Sequence, residues 1–233
     1  MLGMTETHPG TLDGDVSAEL QVLATEHWSL LATRALTFNE SLSRVSIFLA
    51  ILSGALIALA LVAQADHFGT IFIGIAIPTL GLVLFAGIAT VGRLMMLNRD
   101  DFRWVVGMNR LRNAYLARHP ELTPHFITSP YDDVPGVLQT LGIDPAAAGA
   151  GHSSVLHLFQ TLPGMLAMIV AAVGGAIGAL GAVAAGAPSA GVIAAGAAAF
   201  LLVLGSMIAW SRRSYSRASP SLEPRFPSPP SRP

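Results

Sequence analysis

Four long apolar runs without a charged residue constrain this chain more than any other feature. They extend over residues 45–65, 68–91, 162–186 and 190–210. At 1.5 Å per residue in a helix, each run is long enough to cross the roughly 30 Å hydrocarbon core of a bilayer. Inside that core the backbone must satisfy its own hydrogen bonds, which a helix does. The sequence therefore predicts an all-α polytopic membrane protein with four transmembrane helices.

The spacing of the runs groups the four helices into two hairpins. Asp66 and His67 separate the first two runs, and a turn at Pro188 separates the last two. Pro78 lies inside the second run, where it is expected to kink the helix without ending it. The predicted organisation is a flexible N-terminal tail (1–16), a cytoplasmic amphipathic helix (17–44), a first transmembrane hairpin (45–91), a cytoplasmic helical stalk and loop (92–161), a second transmembrane hairpin (162–210) and a disordered Ser/Pro/Arg-rich cytoplasmic tail (211–233).

The distribution of arginine predicts the orientation of these helices. Arginines lie before the first run, between the two hairpins and after Trp210, and neither short turn contains one. Basic residues near transmembrane segments favour the cytoplasmic side. Both termini and the middle segment are therefore expected in the cytoplasm, in a protein of the bacterial inner membrane.

Amphipathic helices are expected to extend the first hairpin beyond the bilayer. One extension precedes the first transmembrane helix and the other follows the second. In the first extension, Arg34 lies on the apolar side between Leu31 and Phe38. An unpaired guanidinium there is costly unless it meets a carboxylate or a lipid phosphate. It is either a partner-binding arginine or a structurally paired one. Glu40 and Arg44 have the i,i+4 spacing of a favourable helical ion pair.

The second extension carries a row of arginines opposite its apolar stripe. Anionic lipid headgroups, an acidic protein partner and the acidic N-terminal helix are all possible contacts for this row, and a solvated or internally paired face is the alternative. Nucleic-acid binding is not predicted, because acidic residues balance the arginines of the middle segment. The row consists of Arg99, Arg103, Arg110 and Arg112.

No segment has the pattern of a catalytic, cofactor or metal site. His125, Asp132 and Asp133 lie in one loop, but their spacing is not typical of zinc or calcium sites, and capping or turn roles are expected for the aspartates. His152 and His157 flank two serines without a nucleophile elbow. With no cysteine, a thiol nucleophile is excluded. The sequence predicts a non-enzymatic protein without cofactors or bound metal.

The third transmembrane run consists largely of alanine and glycine. Gly174, Gly178 and Ala182 recur at every fourth position. This spacing of small residues lets helix backbones approach closely in lipid, where packing drives association. We expect these residues to form an interhelical contact face, and the protein to form homo-oligomers.

Segments on both sides of the first hairpin carry a resemblance to a known family. They are residues 31–44 (LATRALTFNESLSR), 98–105 (NRDDFRWV) and 108–112 (MNRLR). Over residues 20–186 the chain resembles a family of uncharacterised actinobacterial integral membrane proteins. The resemblance implies four membrane helices and no established activity, so no catalytic residue follows from it. The helical extension with its hairpin also resembles, in architecture, the SLATT membrane effector modules of bacterial conflict systems.

Three functions are compatible with these features. The first is a self-associating membrane scaffold that presents its helical stalk to a cytoplasmic protein partner. The second is an oligomeric ion channel or membrane-permeabilising effector. Against it, the four runs contain no ionisable residue, which coupled transporters and charged filters need, although a hydrophobic gate does not. The third is a lipid-modifying enzyme that uses the loop of His125, Asp132 and Asp133.

Overall fold

A computed structural model describes residues 9–143, 161–216 and 223–229 of the chain, with side chains described from residue 17 and, in the last long helix, up to residue 213. The predictions for the first residues of the chain and for the segment containing His152 and His157 lie outside the described residues. The helices are α1 (Pro9–Asp66), α2 (Thr70–Arg118), a 3₁₀ helix (Pro120–His125), α3 (Val134–Thr140), α4 (Leu162–Ala184) and α5 (Ser189–Ser216).

Four of these helices, α1, α2, α4 and α5, are long and apolar enough to cross a membrane. The chain is thus an all-helical membrane protein with four transmembrane helices, as the sequence predicts. With 58 and 49 residues, α1 and α2 are longer than a bilayer requires. The helix of α2 continues through Pro78 and ends at Arg118, two residues before Pro120.

The start of α1 differs from the prediction. The segment 1–16 was expected to be a flexible tail, but α1 begins at Pro9, inside that segment. Proline is well suited to the first position of a helix, because its missing N–H has no partner there in any case. The amphipathic helix predicted from residue 17 therefore has an N-terminal extension.

Asp66 organises the tight turn between α1 and α2. Its Oδ2 accepts a hydrogen bond from the N–H of Phe72 at 2.7 Å, and its carbonyl accepts one from Gly69 at 2.9 Å. His67 and Phe68 have positive φ angles of 49° and 61°, a region that costs residues with a side chain about 1 to 2 kcal/mol each. A Cβ on Gly69 would lie 2.8 Å from Asp66 Oδ2, so the turn requires glycine at that position.

The chain divides into two compact units, and α1 and α2 contribute residues to both. We call them the polar unit, which comprises residues 1–37, 100–146 and 222–233, and the apolar unit, which comprises residues 38–99 and 147–221. In the apolar unit, α2 passes close to α1 and α4 at Gly87, where a Cβ would lie 2.9 Å from Phe48 and 2.5 Å from Val170. Phe48 and Val170 are both buried in its core.

Glu40 is the centre of a charge cluster within the apolar unit. Its Oε1 accepts hydrogen bonds from the Nε atoms of Arg44 at 2.8 Å and Arg93 at 2.9 Å. A second bond, from Arg93 Nη2 to Oε2 at 3.1 Å, makes the pair with α2 bidentate. The predicted i,i+4 pair of Glu40 with Arg44 is confirmed, and the same carboxylate also joins α1 to α2.

The predicted small-residue contact face on α4 is confirmed at Gly174 and Gly178, which pack against α5 of the same chain. A Cβ on Gly178 would lie 2.5 Å from the Cβ of Ala199, and one on Gly174 would lie 2.7 Å from Cγ2 of Val203. Ala182, one turn further along α4, is half-buried. This face is therefore used within the second hairpin, where it lets the two backbones approach closely.

Replacing Gly178 with leucine is expected to destabilise the second hairpin. The new side chain would overlap Ala199, and overpacking of this kind costs about 1 to 3 kcal/mol. The matched control is Gly181→Leu on the same helix, since a Cβ at Gly181 meets nothing within 4 Å. We expect a lower melting temperature in detergent for Gly178→Leu than for Gly181→Leu, and equal melting temperatures would contradict the packing described here.

Candidate functional site

Two ion pairs connect α1 and α2 within the polar unit. Arg34 forms a bidentate pair with Asp101, with distances of 2.6 Å from Nε to Oδ1 and 3.3 Å from Nη2 to Oδ2. Arg118 pairs with Glu19. Of the alternatives that the sequence left for Arg34, the structure supports pairing with a carboxylate inside the chain.

Asn109 of α2 is fully buried and joins three elements of the polar unit. Its Nδ2 donates to the carbonyl of Tyr131 at 2.6 Å. Its Oδ1 accepts hydrogen bonds from Arg112 Nη1 at 2.6 Å and from the hydroxyl of Thr140 at 3.0 Å. One amide side chain thus connects α2 with the loop before α3 and with the end of α3.

Arg112 is buried, with 7% of its surface exposed. Burial lowers its pKa, and the charge of nearby Arg34 lowers it further. Of the alternatives that the sequence left for Arg112, the structure supports internal pairing, because its guanidinium is buried and binds Asn109. His27 of α1 lies near this charge, and burial followed by the charge of Arg112 lowers its pKa, so the imidazole resists protonation.

The other arginines of the predicted row have different environments. Arg103 is about half exposed and forms an i,i+3 pair with Asp100 at 3.4 Å, which agrees with a solvated face. Arg99 is half-buried and belongs to the apolar unit. Arg110 is directed towards Asp132, to which its Nε donates at 2.7 Å. The structure therefore does not gather the four arginines into one lipid-binding or partner-binding surface.

Asp132 binds a segment from the end of the chain. Its side chain is fully buried. Its Oδ1 accepts the N–H of Phe226 at 2.8 Å, and its Oδ2 accepts the N–H of Arg225 at 2.9 Å. Its own N–H donates to the carbonyl of Phe226 at 3.1 Å. The prediction of a disordered tail is therefore wrong for residues 223–229, because carboxylates of the loop before α3 accept the N–H groups of Arg225, Phe226 and Ser228.

Asp133 binds the same segment two residues further along. Its Oδ2 accepts the N–H of Ser228 at 2.7 Å, and its Oδ1 accepts the hydroxyl of Ser228 at 2.8 Å. Its Oδ1 also accepts the N–H of Gly136 at 3.0 Å, as the N-cap of α3. The capping role predicted for this aspartate is confirmed. We call Asp132 and Asp133 together the aspartate cradle, and residues 223–229 the tail segment.

Arg110 contacts both the aspartate cradle and the tail segment. Besides its bond to Asp132, its Nη2 donates to the carbonyl of Glu223 at 3.1 Å. The guanidinium therefore neutralises a buried carboxylate and also holds the start of the tail segment. Arginine suits this role because its donors form a planar fork.

The electrostatics of the cradle favour ionised aspartates. Burial alone would raise the pKa of Asp132, but the N–H groups of Arg225 and Phe226 and the guanidinium of Arg110 outweigh it and lower the pKa. Burial likewise opposes ionisation of Asp133, and the donors of Ser228 and Gly136 outweigh it. Both groups are therefore acceptors throughout the neutral pH range.

The third residue of the predicted loop cluster does not take part in the cradle. His125 is exposed at the end of the 3₁₀ helix and makes none of the hydrogen bonds that hold the tail segment. In the described part of the chain, no group of three or more His, Cys, Asp or Glu side chains has the geometry of a metal site. The arrangement is suited to holding a peptide.

Sequence reasoning missed Asn109 and the tail segment as members of this site. The signal for Asn109 was a neutral polar side chain next to Met108, among the apolar residues that recur at helical spacing along α2. The signal in the tail was an aromatic residue, Phe226, between prolines in an otherwise small and polar stretch.

Comparisons with protein-family models, with curated proteins and with solved structures give no match to this chain.

Asp132→Asn is expected to release the tail segment at neutral pH, because the amide offers one acceptor oxygen where the carboxylate offers two. Hydrogen bonds to charged groups contribute about 1.5 to 3 kcal/mol, so protection of the Arg225 and Phe226 amides from hydrogen exchange should fall by about tenfold or more. Asp100→Asn, which removes an exposed carboxylate of the same unit, is the control and should leave this protection unchanged.

The same contacts predict the pH dependence of the tail. Because the folded-state pKa values of Asp132 and Asp133 are lowered, their contribution is complete above the ordinary carboxyl pKa and is lost as pH falls through the lowered values. The protection factors of the tail amides should therefore be constant from weakly acidic to neutral pH. A loss of protection near pH 6 would show that another group controls docking.

Proposed function

We propose that this chain is a non-enzymatic scaffold of the bacterial inner membrane, which uses four transmembrane helices to hold the polar unit in the cytoplasm for binding a protein partner. The observation that carries the proposal is that contacts within the polar unit join residues from before, between and after the two hairpins.

The pair of Arg34 with Asp101 concerns the first hairpin. Two ionised side chains 2.6 Å apart must lie on the same side of a bilayer. The chain between them must therefore cross the membrane an even number of times. The apolar runs 45–65 and 68–91 provide two crossings, which supports a complete first hairpin.

The bonds between Asp132 and the tail segment support the same conclusion for the second hairpin. Asp132 and Phe226 share two hydrogen bonds, so they too must lie on one side of the bilayer. Between them lie α4 and α5, both apolar enough to cross. An even number of crossings agrees with two transmembrane helices and supports a C-terminal segment on the same side of the membrane as the middle segment.

The distribution of arginine indicates on which side of the membrane the polar unit lies. Since the arginines cluster around the polar segments and are absent from both short turns, the positive-inside rule favours the cytoplasm for the polar unit. Binding is favoured over catalysis because the charged groups of the cradle hold main-chain donors of a peptide. The likenesses to an actinobacterial family and to SLATT modules stay predictions, and the proposal does not depend on them.

Self-association is also part of the proposal, through a face other than the predicted one. Gly174 and Gly178 are used within the second hairpin, against α5. The opposite face of α5 exposes small residues at helical spacing, including Ala194, Ala198 and Gly205. Close helix approach in lipid needs such residues, so this face is the better candidate for contact between copies.

Reporter fusions test the topology. A fluorescent protein that folds only in the cytoplasm should be bright when fused after Pro233, whereas a phosphatase active only in the periplasm should be inactive there. The control is the same phosphatase inserted in the turn at Pro188, where it should be active. Phosphatase activity after Pro233 would contradict the proposed scaffold, because it would remove the polar unit from the cytoplasm or break its contacts.

Light scattering of the detergent-solubilised protein, combined with ion flux from liposomes that contain it, tests the scaffold function. We expect a defined oligomer that does not conduct ions. Replacing Ala198 with a bulky residue such as phenylalanine should reduce the mass, while a bulky residue at Gly181 on α4 serves as the control. A conducting oligomer would replace the scaffold with the channel hypothesis.

A further inference from the structure

The bonds between the tail segment and the aspartate cradle involve every main-chain donor that the segment from Pro224 to Pro229 possesses. Three of these six positions are proline, which has no N–H. The remaining three, Arg225, Phe226 and Ser228, each donate to a carboxylate oxygen of the cradle. The prolines thus occupy the positions at which the cradle offers no acceptor.

The acceptors of the cradle are held in place by the polar unit itself. Asp132 Oδ2 also binds the guanidinium of Arg110, and Asp133 Oδ1 also binds the N–H of Gly136. The buried position of Asp132 excludes water and strengthens its hydrogen bonds. A site built in this way is organised before its peptide arrives, which reduces the entropy lost on binding.

The side chains of the tail segment contribute little to its recognition. Those from Glu223 to Pro227 are exposed, including Phe226 with 38% of its surface accessible. Ser228 is the exception, because it is half-buried and donates its hydroxyl to Asp133. The cradle therefore selects the spacing of main-chain donors, followed by a serine hydroxyl, and tolerates different side chains elsewhere.

We propose that the aspartate cradle is a binding site for extended, proline-interrupted peptide segments of a cytoplasmic protein partner, and that the chain's own tail segment is a tethered ligand that competes with them. The inference rests on the proposed function and names the chemistry of its partner. The preferred ligand has proline, two residues with free N–H groups, proline and serine in succession. Prolines favour the extended conformation in the free peptide, so little order is lost on binding.

Because the tail segment and the cradle belong to one chain, the tail segment limits when a partner can bind. A ligand that belongs to the same chain as its site competes at an effective concentration, which does not depend on the protein concentration in solution. A partner peptide in solution must exceed that concentration or bind more tightly to displace the tail segment. The empty cradle should therefore bind the peptide far better than the filled one.

The test uses the full chain in detergent and a fluorescein-labelled synthetic peptide with the sequence of residues 222–233. The double variant Arg225→Pro and Phe226→Pro removes two of the three main-chain donors that bind the cradle while keeping the tail extended, and it leaves the cradle intact. Fluorescence anisotropy should show at least tenfold tighter binding of the peptide to this variant than to the unchanged chain. Glu223→Pro is the matched control, since it adds a proline without removing any of the three donors, and should behave like the unchanged chain.

Two further comparisons identify the binding site. Adding Asp132→Asn to the double variant should abolish peptide binding, and a peptide with proline at the positions of Arg225 and Phe226 should not bind. In the unchanged chain, excess unlabelled peptide should accelerate hydrogen exchange at the Arg225, Phe226 and Ser228 amides of the tail. That last measurement requires no variant and so does not depend on how any variant folds.

The proposal is overturned if the double variant does not bind the peptide, if binding is unaffected by Asp132→Asn, or if excess peptide leaves exchange of the tail amides unchanged. These failures are distinguishable from failure of the proposed function. A negative peptide titration leaves the reporter result in place, whereas a periplasmic C-terminus removes the cytoplasmic partner even if the peptide binds in detergent.

Discussion

The need to satisfy every backbone polar group within the bilayer is the constraint on which the rest of this structure depends. Helices meet it with internal hydrogen bonds, which is why the apolar runs form α1, α2, α4 and α5. Ionisable groups are then confined to the segments outside the runs, where they meet one another. The pairs of Glu40 with Arg93 and of Arg34 with Asp101 follow from that confinement, and each joins α1 to α2.

Features that depend on local chemistry could be predicted from the sequence. The four helices follow from length and hydropathy, the pair of Glu40 with Arg44 from helical spacing, and the N-cap of α3 from an aspartate before proline and glycine. The contact face of Gly174 and Gly178 was also predictable, because small residues at every fourth position allow close packing of helices in lipid. Each of these signals lies within a short stretch of the chain.

Features that depend on contacts between distant parts of the chain could not be predicted. Arg112 was assigned to a polar helix face, but that face is covered by the loop of Tyr131 and by the end of α3, and Asn109 provides the acceptor. The composition of the tail indicated disorder, since it can bury little apolar surface. Its order comes instead from hydrogen bonds to carboxylates more than ninety residues earlier in the chain, which no local pattern reveals.

The position of the tail segment at the end of the chain has a consequence for biogenesis. The ribosome completes the cradle well before its ligand, and both helices of the second hairpin are synthesised in between. Of the four membrane helices, α4 has the lowest mean hydropathy, so its insertion is the least favoured. If it failed to cross while α5 did, the tail would emerge on the far side of the membrane and the cradle would stay empty. Docking of the chain's own tail segment therefore requires that α4 and α5 share one fate, because only an even number of crossings leaves Phe226 on the same side of the membrane as Asp132.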